Sequence, residues 1–193
     1  GGFLAGTDFV SNDKSIRALP TRDSVLPILC SLLQADNKKL SLSELFAGVT
    51  TRYTHADRIA FELDMTTFRE LCGKVIKNIS PKDTNISEVD FAKEITVYYK
   101  NGKVIGGKKD LAQELIGLKA KLEGYFTSKG FAPIVRLIFI DGVRIVFENG
   151  DIVHLRPSDN APEFRCYSNA GTQERANEIV ELGIAKEGII EQI

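Results

Sequence analysis

Two segments with alternating apolar residues flank an Asn-Gly pair, and together they constrain the fold more than any other feature of the chain. Val143, Ile145 and Phe147 alternate in the first segment, and Val153 and Leu155 alternate in the second. Asn-Gly between two such segments is a strong β-hairpin signal, because a tight hairpin turn needs backbone conformations that these residues adopt easily. Period-two alternation sends the apolar side chains to one face and the polar ones to the other. The sequence therefore predicts a sheet with one face in the core.

The segments around this hairpin predict the rest of the layer structure. Four strands are predicted, over residues 134–140, 143–148, 152–156 and 163–168. Apolar residues at helical spacing predict three helices, over residues 66–77, 110–129 and 172–186. A loop is predicted over residues 79–88, and a further strand and its return over residues 94–99 and 103–105. Because hairpins and helices follow one another without βαβ alternation, the fold class is α+β, with a small antiparallel four-stranded sheet packed against helices.

The first fifty residues predict two helices that belong to a different domain from the sheet. Asp23 or Thr21 can cap a first helix, and Ser41 with Glu44 forms a capping box before a second, shorter one. Residues 48–55 are polar and β-prone without a helical period. We therefore expect the linker between two domains in this part of the chain.

A loop after the hairpin carries the main candidate site. Arg156, Ser158, Asn160 and Arg165 lie in a ten-residue segment that is stiffened by two prolines. Guanidinium forks, a hydroxyl and an amide are the donors that a phosphate dianion prefers. Alternation also places His154 on the face of Arg156, where it could donate to the same phosphate or make a structural hydrogen bond. The composition alone also fits a polar surface turn with solvated arginines.

Residues 141–145 and 154–167 together closely resemble the C-terminal domain of the α-D-phosphohexomutases, with the bacterial phosphomannomutases as the nearest branch. The resemblance implies that the loop holds the substrate phosphate that is not being transferred, through Arg156, Ser158, Asp159, Asn160 and Arg165. Asp159 stands where the family pattern has glycine. A carboxylate beside a dianion is unfavourable unless its side chain points away, so the phosphate affinity stays open.

A second resemblance lies at the other end of the chain. Gly1 and Gly2, followed by phenylalanine, look like the end of the family's sugar-binding loop, Glu-Ala-Asn-Gly-Gly-Phe. The sugar-binding glutamate of that pattern would precede Gly1. A cloning scar would also explain two glycines, but it would not explain the match that continues through residues 19–23. The resemblance is weakest over residues 61–130.

The resemblance implies that the chain is the C-terminal piece of a four-domain enzyme. Nothing in it resembles the family's Ser-His phosphoserine loop or its Asp-Gly-Asp-x-Asp-Arg magnesium loop. Residues 1–50 would then be the helical remnant of the third, α/β domain, and residues 51–58 the hinge. Residues 59–193 would be the fourth domain, which in this family resembles the TATA-box-binding protein. No catalytic residue and no metal ligand is expected within the chain.

The implied activity is the interconversion of a hexose 6-phosphate and a hexose 1-phosphate through a phosphoserine and a bisphosphate intermediate. Mannose 6-phosphate or mannose 1-phosphate is the expected substrate, and Mg²⁺ would bind in the missing N-terminal domains of the same chain. The 193 residues alone are expected to be inactive. A stand-alone phosphate-sensing module without catalysis is the alternative, and an upstream reading frame that encodes the two absent loops would exclude it.

The composition also argues against several other classes of function. The net charge of −1 argues against nucleic-acid binding, which needs a basic face. No apolar run approaches the length of a membrane span, so no membrane partner is expected. The three cysteines, Cys30, Cys72 and Cys166, lack metal-site or disulfide spacing and are expected to be buried thiols in a reducing cytoplasm.

Overall fold

The computed structural model describes residues 6–19, 23–47, 49, 52–102, 104–106, 109–126 and 129–185. The chain divides into two units, Gly1–Thr51 and Arg52–Ile193. All of the predicted site residues lie in the second unit except Gly1 and Gly2, which are outside the described residues.

The first unit contains a short hairpin and two helices: β1 Phe9–Ser11, β2 Lys14–Ile16, α1 Val25–Lys38 and α2 Leu42–Ala47. Both predicted helix starts are confirmed. The Asp23 carboxylate accepts from the backbone N–H of Val25 at 2.7 Å. The backbone N–H of Ser41 donates to the Glu44 carboxylate at 2.8 Å, and the backbone N–H of Glu44 donates to the Ser41 hydroxyl at 3.2 Å. The alternative cap, Thr21, lies outside the described residues.

The second unit contains a sheet and three helices in its described residues. The elements are β3 Tyr53–Ala60, α3 Met65–Asn78, β4 Ile86–Asp90, β5 Thr96–Tyr99, β6 Val104–Gly106, α4 Lys109–Phe126, β7 Ile134–Ile138, β8 Val143–Phe147, β9 Ile152–Pro157, β10 Glu163–Ala170 and α5 Gln173–Ile184. The strands form one antiparallel sheet in the order β3-β10-β9-β8-β7-β4-β5-β6.

The predicted α+β class is confirmed, but the predicted four-stranded sheet is too small. The four expected strands are β7 to β10, and they form the middle of an eight-stranded sheet. The segment predicted as a linker, residues 51–58, largely lies in β3, which pairs with β10 from Tyr53 to Ala60. The predicted loop over residues 79–88 overlaps β4. Both strands were missed because neither shows apolar alternation, and the pairing partner of β3 lies more than a hundred positions away in the sequence.

One face of the central strands packs against the helices. The five alternating apolar residues of the hairpin, from Val143 to Leu155, are all buried. They share a core with residues of all three helices: Phe68 and Cys72 of α3, Leu118, Leu122 and Phe126 of α4, and Ala176, Ile179 and Val180 of α5. The opposite face of β3, β10, β9 and β8 therefore carries the polar side chains, and we call it the open face.

The Asn-Gly turn of the hairpin is held from two sides. Gly150 has a left-handed φ of 84°, and its carbonyl oxygen accepts a hydrogen bond from Arg52. The next residue, Asp151, is buried and accepts from Nε of Arg175 in α5 at 2.9 Å. The central strands are thus a rigid support for the loop that follows them.

The prediction of buried cysteines holds for Cys72 and Cys166 but is wrong for Cys30, which is exposed. Cys30 lies on α1, of which only Ala35 is buried among the described residues. The apolar side of α1 therefore does not form a core within the first unit.

Candidate functional site

Three arginines stand side by side on the open face. Arg165 of β10 pairs directly with Arg58 of β3 on one side and with Arg156 of β9 on the other. Directly paired residues of antiparallel strands point to the same face, with Cβ atoms about 5 Å apart. The sheet therefore holds three guanidinium groups in one row, which we call the arginine row. Arg156 and Arg165 were predicted, whereas Arg58 was missed because it lies in the segment predicted as a linker.

Carboxylates compensate the charge of the arginine row. Glu163 forms ion pairs with Arg58 at 3.1 Å and with Arg165 at 3.3 Å. Asp141, in the turn between β7 and β8, accepts from Nη1 of Arg156 at 2.6 Å. These pairs orient the guanidinium groups while no ligand is bound. An anionic ligand from solution would present the same kind of group, a negatively charged oxygen, to the arginine row.

The loop between β9 and β10 closes one end of the row. The backbone N–H of Ser158 donates to the Glu163 carbonyl at 2.8 Å, which closes the loop. Ser158 is buried, and its hydroxyl oxygen lies 3.4 Å from the backbone nitrogen of Asn160, which donates to it. Asp159 and Asn160 are exposed. The structure thus places the Ser158 hydroxyl inside the loop. Contact of Ser158 and Asn160 with a phosphate stays a prediction.

Arg156 is the most restrained member of the row. Its side chain is 26% exposed, and Nη2 lies 3.8 Å from a carboxylate oxygen of Asp159. Its Nε is buried and has no hydrogen-bond partner among the described residues. An unpaired buried donor costs about 1–3 kcal/mol. The guanidinium group is therefore not fully satisfied by the protein.

Arg165 and His154 are held by neighbours on the open face. Hydrogen bonds to Tyr167 and to Glu163 hold the pKa of Arg165 above its ordinary value, so this group stays cationic whenever phosphate is a dianion. His154 stacks near Tyr167, with ring centroids 5.8 Å apart, and its Nε2 is hydrogen-bonded to the backbone carbonyl of Asp141. Of the two roles considered for His154, the structure shows the structural hydrogen bond.

A shallow groove of about 410 Å³ continues from the arginine row along the open face. Its lining residues are Thr54, His55, Ala56, Arg144, Ile152, His154, Tyr167, Ser168 and Asn169. The groove combines two imidazoles, a guanidinium, a phenol and amide or hydroxyl groups. Such groups can form hydrogen bonds with the hydroxyls of a sugar.

The described residues also bear on other types of site. No three His, Cys, Asp or Glu side chains in the described parts of the chain lie together as metal ligands would. No helix within the described ranges has the length and apolarity that a bilayer crossing requires.

Comparisons with known proteins identify the relatives of the chain. It is 33% identical to a phosphomannomutase from Salmonella muenchen over 183 residues, which are 94% of this chain and 29% of that protein. It is 31% identical to a phosphomannomutase from Sinorhizobium fredii over 185 residues, which are 96% of this chain and 30% of that protein. No protein-family model matches the chain.

The similarity confirms the predicted relationship to bacterial phosphomannomutases, and it extends along nearly the whole chain. The chain spans about 30% of the length of the curated relatives it matches.

Proposed function

We propose that the arginine row and the loop over residues 156–165 bind the phosphate group of a hexose phosphate. The observation that carries this proposal is the direct pairing of Arg156 with Arg165, which places two fork-shaped donors on adjacent strands of a rigid sheet. Guanidinium forks bind phosphate oxygens in pairs, with short charge-assisted hydrogen bonds. Because the supporting strands are paired on both sides, the two arginines lose little conformational freedom when the anion arrives.

The charge balance supports an anionic ligand. Arg58, Arg156 and Arg165 face the three carboxylates of Asp141, Asp159 and Glu163. Arg144 lies on the same face, directly opposite His154 of the neighbouring strand. Arg144 makes none of the ion pairs found among the described residues. The site therefore has a positive excess before a ligand binds. Asp159 is the most exposed of the three carboxylates, so its side chain can move away from an incoming phosphate.

We extend the proposal to the whole protein on the strength of its relatives. The two relatives are phosphomannomutases, and this activity exchanges a phosphate between two positions of one sugar. At each step one phosphate reacts while the other is idle. In our proposal the arginine row holds the idle phosphate and thereby positions the reacting end of the sugar.

In this proposal the remaining parts of the enzyme would lie outside this chain. The phosphoserine that exchanges the phosphoryl group and the Mg²⁺ that balances its charge would belong to preceding domains of the same protein. The first unit would be the end of the third domain, and the second unit the fourth domain. Mannose 6-phosphate and mannose 1-phosphate are the proposed substrates, and the groove beside His154 would contact the sugar ring.

The proposal is tested by titrating the 193-residue chain with mannose 6-phosphate in a calorimeter. We expect a dissociation constant of about 1 mM, which corresponds to about 4 kcal/mol of binding free energy. Arg165→Ala removes the central member of the row and should abolish measurable binding. Unphosphorylated mannose should not bind in the same concentration range.

Arg136→Ala is the matched control. Arg136 lies on the same sheet in β7, is likewise paired with carboxylates, Glu88 at 3.4 Å and Asp90 at 2.9 Å, and lies outside the arginine row. Its replacement should leave the affinity unchanged. Equal loss of binding in Arg136→Ala and Arg165→Ala would show that the overall charge, and not the row, attracts the ligand.

A further inference from the structure

The turn between β7 and β8 lies directly against the stem of Arg156. Gly142 has a left-handed φ of 75°. A Cβ atom at this position would overlap the backbone carbonyl of Leu155 and would lie 2.7 Å from Cβ of Arg156. Only glycine therefore lets the turn approach so closely. As a result, Asp141, the preceding residue, is brought within reach of the guanidinium group.

Asp141 is fixed at its backbone and contacts Arg156 with its side chain. His154 makes a hydrogen bond with the Asp141 carbonyl oxygen, and Oδ2 of Asp141 accepts from Nη1 of Arg156 at 2.6 Å. Among the described residues, this contact is the one hydrogen bond that the Arg156 guanidinium makes. Nε of Arg156 has no partner among them. Without Asp141, the guanidinium would lose the hydrogen bond that orients it.

Asp159 contacts the same guanidinium in a different way. Its oxygen lies 3.8 Å from Nη2 of Arg156, beyond hydrogen-bond distance, and its side chain is 86% exposed. An exposed pair of this kind contributes little to stability. Asp159 therefore does little to orient Arg156, whereas the 2.6 Å hydrogen bond from Arg156 to Asp141 does orient it.

We infer that the two carboxylates have opposite effects on phosphate binding. Asp141 is a positioning residue that orients Arg156 toward the ligand, and Asp159 is a counter-ion that phosphate displaces. The inference rests on the proposed phosphate site and adds a role for the turn between β7 and β8. It also explains how an aspartate can stand at position 159 of a phosphate-binding loop.

Asp141→Asn and Asp159→Asn test the inference as a matched pair, because each removes one negative charge beside Arg156 and keeps the side-chain size. Simple electrostatics predicts that both variants bind inorganic phosphate more tightly. We expect Asp159→Asn to bind about two- to fivefold more tightly, since a weak ion pair is lost. We expect Asp141→Asn to bind roughly tenfold more weakly, since a charge-assisted hydrogen bond no longer orients Arg156. Tighter or unchanged binding by Asp141→Asn would overturn the inference.

A second measurement does not depend on a ligand. In the wild-type chain the Arg156 Nε–Hε group should exchange slowly with water and give a resolved NMR signal, because Nε is buried. The signal should broaden in Asp141→Asn and persist in Asp159→Asn, while the backbone amide spectra of both variants show an intact sheet. An unchanged Nε–Hε signal in Asp141→Asn would also overturn the inference.

The two measurements separate this inference from the proposed function. If neither the wild-type chain nor Asp159→Asn binds phosphate, the proposed function fails. The Nε–Hε signal then still decides whether Asp141 holds Arg156 in place.

Discussion

Replacing Gly183 by alanine tests the orientation of β10, the strand that presents Arg165 on the open face. Gly183 lies in α5 and packs against Cys166, the neighbour of Arg165 that points into the core. A Cβ atom at position 183 would lie 2.5 Å from Sγ and 3.2 Å from Cβ of Cys166, whereas ordinary contacts are 3.4–4 Å. The sulfur would have to move by about 1 Å in a fully packed core, where there is no free space for it.

The expected change in stability is the sum of two opposing effects. Overpacking a core costs about 1–3 kcal/mol, while alanine in place of glycine favours a helix by about 1 kcal/mol. We therefore expect Gly183→Ala to lower the free energy of unfolding by up to about 2 kcal/mol. Gly124→Ala near the end of α4 is the control, because an added Cβ there meets nothing within 4 Å. It should stabilise the chain slightly.

The assay is urea unfolding followed by circular dichroism, and the quantity to compare is the difference between the two alanine variants. That difference cancels the helix preference and leaves the cost of the clash, about 1–3 kcal/mol. The cost should shrink when Cys166 is also replaced by alanine, since the two residues are in contact. Equal stabilisation by Gly183→Ala and Gly124→Ala would refute the packing, and with it the placement of Arg165, because a one-residue shift of a strand moves every side chain to the other face.

Two further predictions concern titrating groups. A thiol reagent at about pH 8 should modify the exposed Cys30 quickly, and Cys72 and Cys166 only when the chain unfolds. The reason is that burial raises the pKa of Cys72 to about 11 and of Cys166 to about 12. Rapid modification of all three cysteines in the folded chain would contradict the burial of Cys72 and Cys166. Asp64 caps α3, and hydrogen bonds from Thr67 lower its pKa below the usual 3.8. The cap therefore stabilises the fold above about pH 4, and this stabilisation is lost as the pH falls through the lowered pKa. Urea midpoints should therefore fall less on acidification in Asp64→Asn than in the wild type, and equal losses would show that the cap does not form.

The central strands could be predicted from the sequence because local patterns determine them. Alternating residues such as Val143 and Val153, together with the Asn-Gly turn, predicted β8 and β9 to within one residue at each end. The strand β3 could not be predicted in this way. Of its eight residues only Ile59 is even partly buried, so no apolar alternation is visible. Backbone pairing with β10, more than a hundred positions away, is what holds it in the sheet.

The same distinction separates the predicted from the missed site residues. Arg156 and Arg165 stand in one loop and its flanking strands, so the sequence alone could bring them together. Arg58 joins them only through the pairing of β3, and Asp141 only through the left-handed turn at Gly142. The predicted strands over residues 134–140 and 143–148 imply a turn between them but not its contact with Arg156, because a turn signal carries no information about what the turn packs against.

The most direct test of the phosphate site is an NMR titration of the ¹⁵N-labelled chain with inorganic phosphate. If the arginine row and its loop bind the anion, the backbone amides of residues 156–165 should shift together along one saturating curve, with half-saturation at about 1 mM. The side-chain signals of Arg58 and Arg165 should move with them. If phosphate leaves residues 156–165 unshifted and moves signals elsewhere in the chain, the loop is a polar surface turn and the proposed function is wrong.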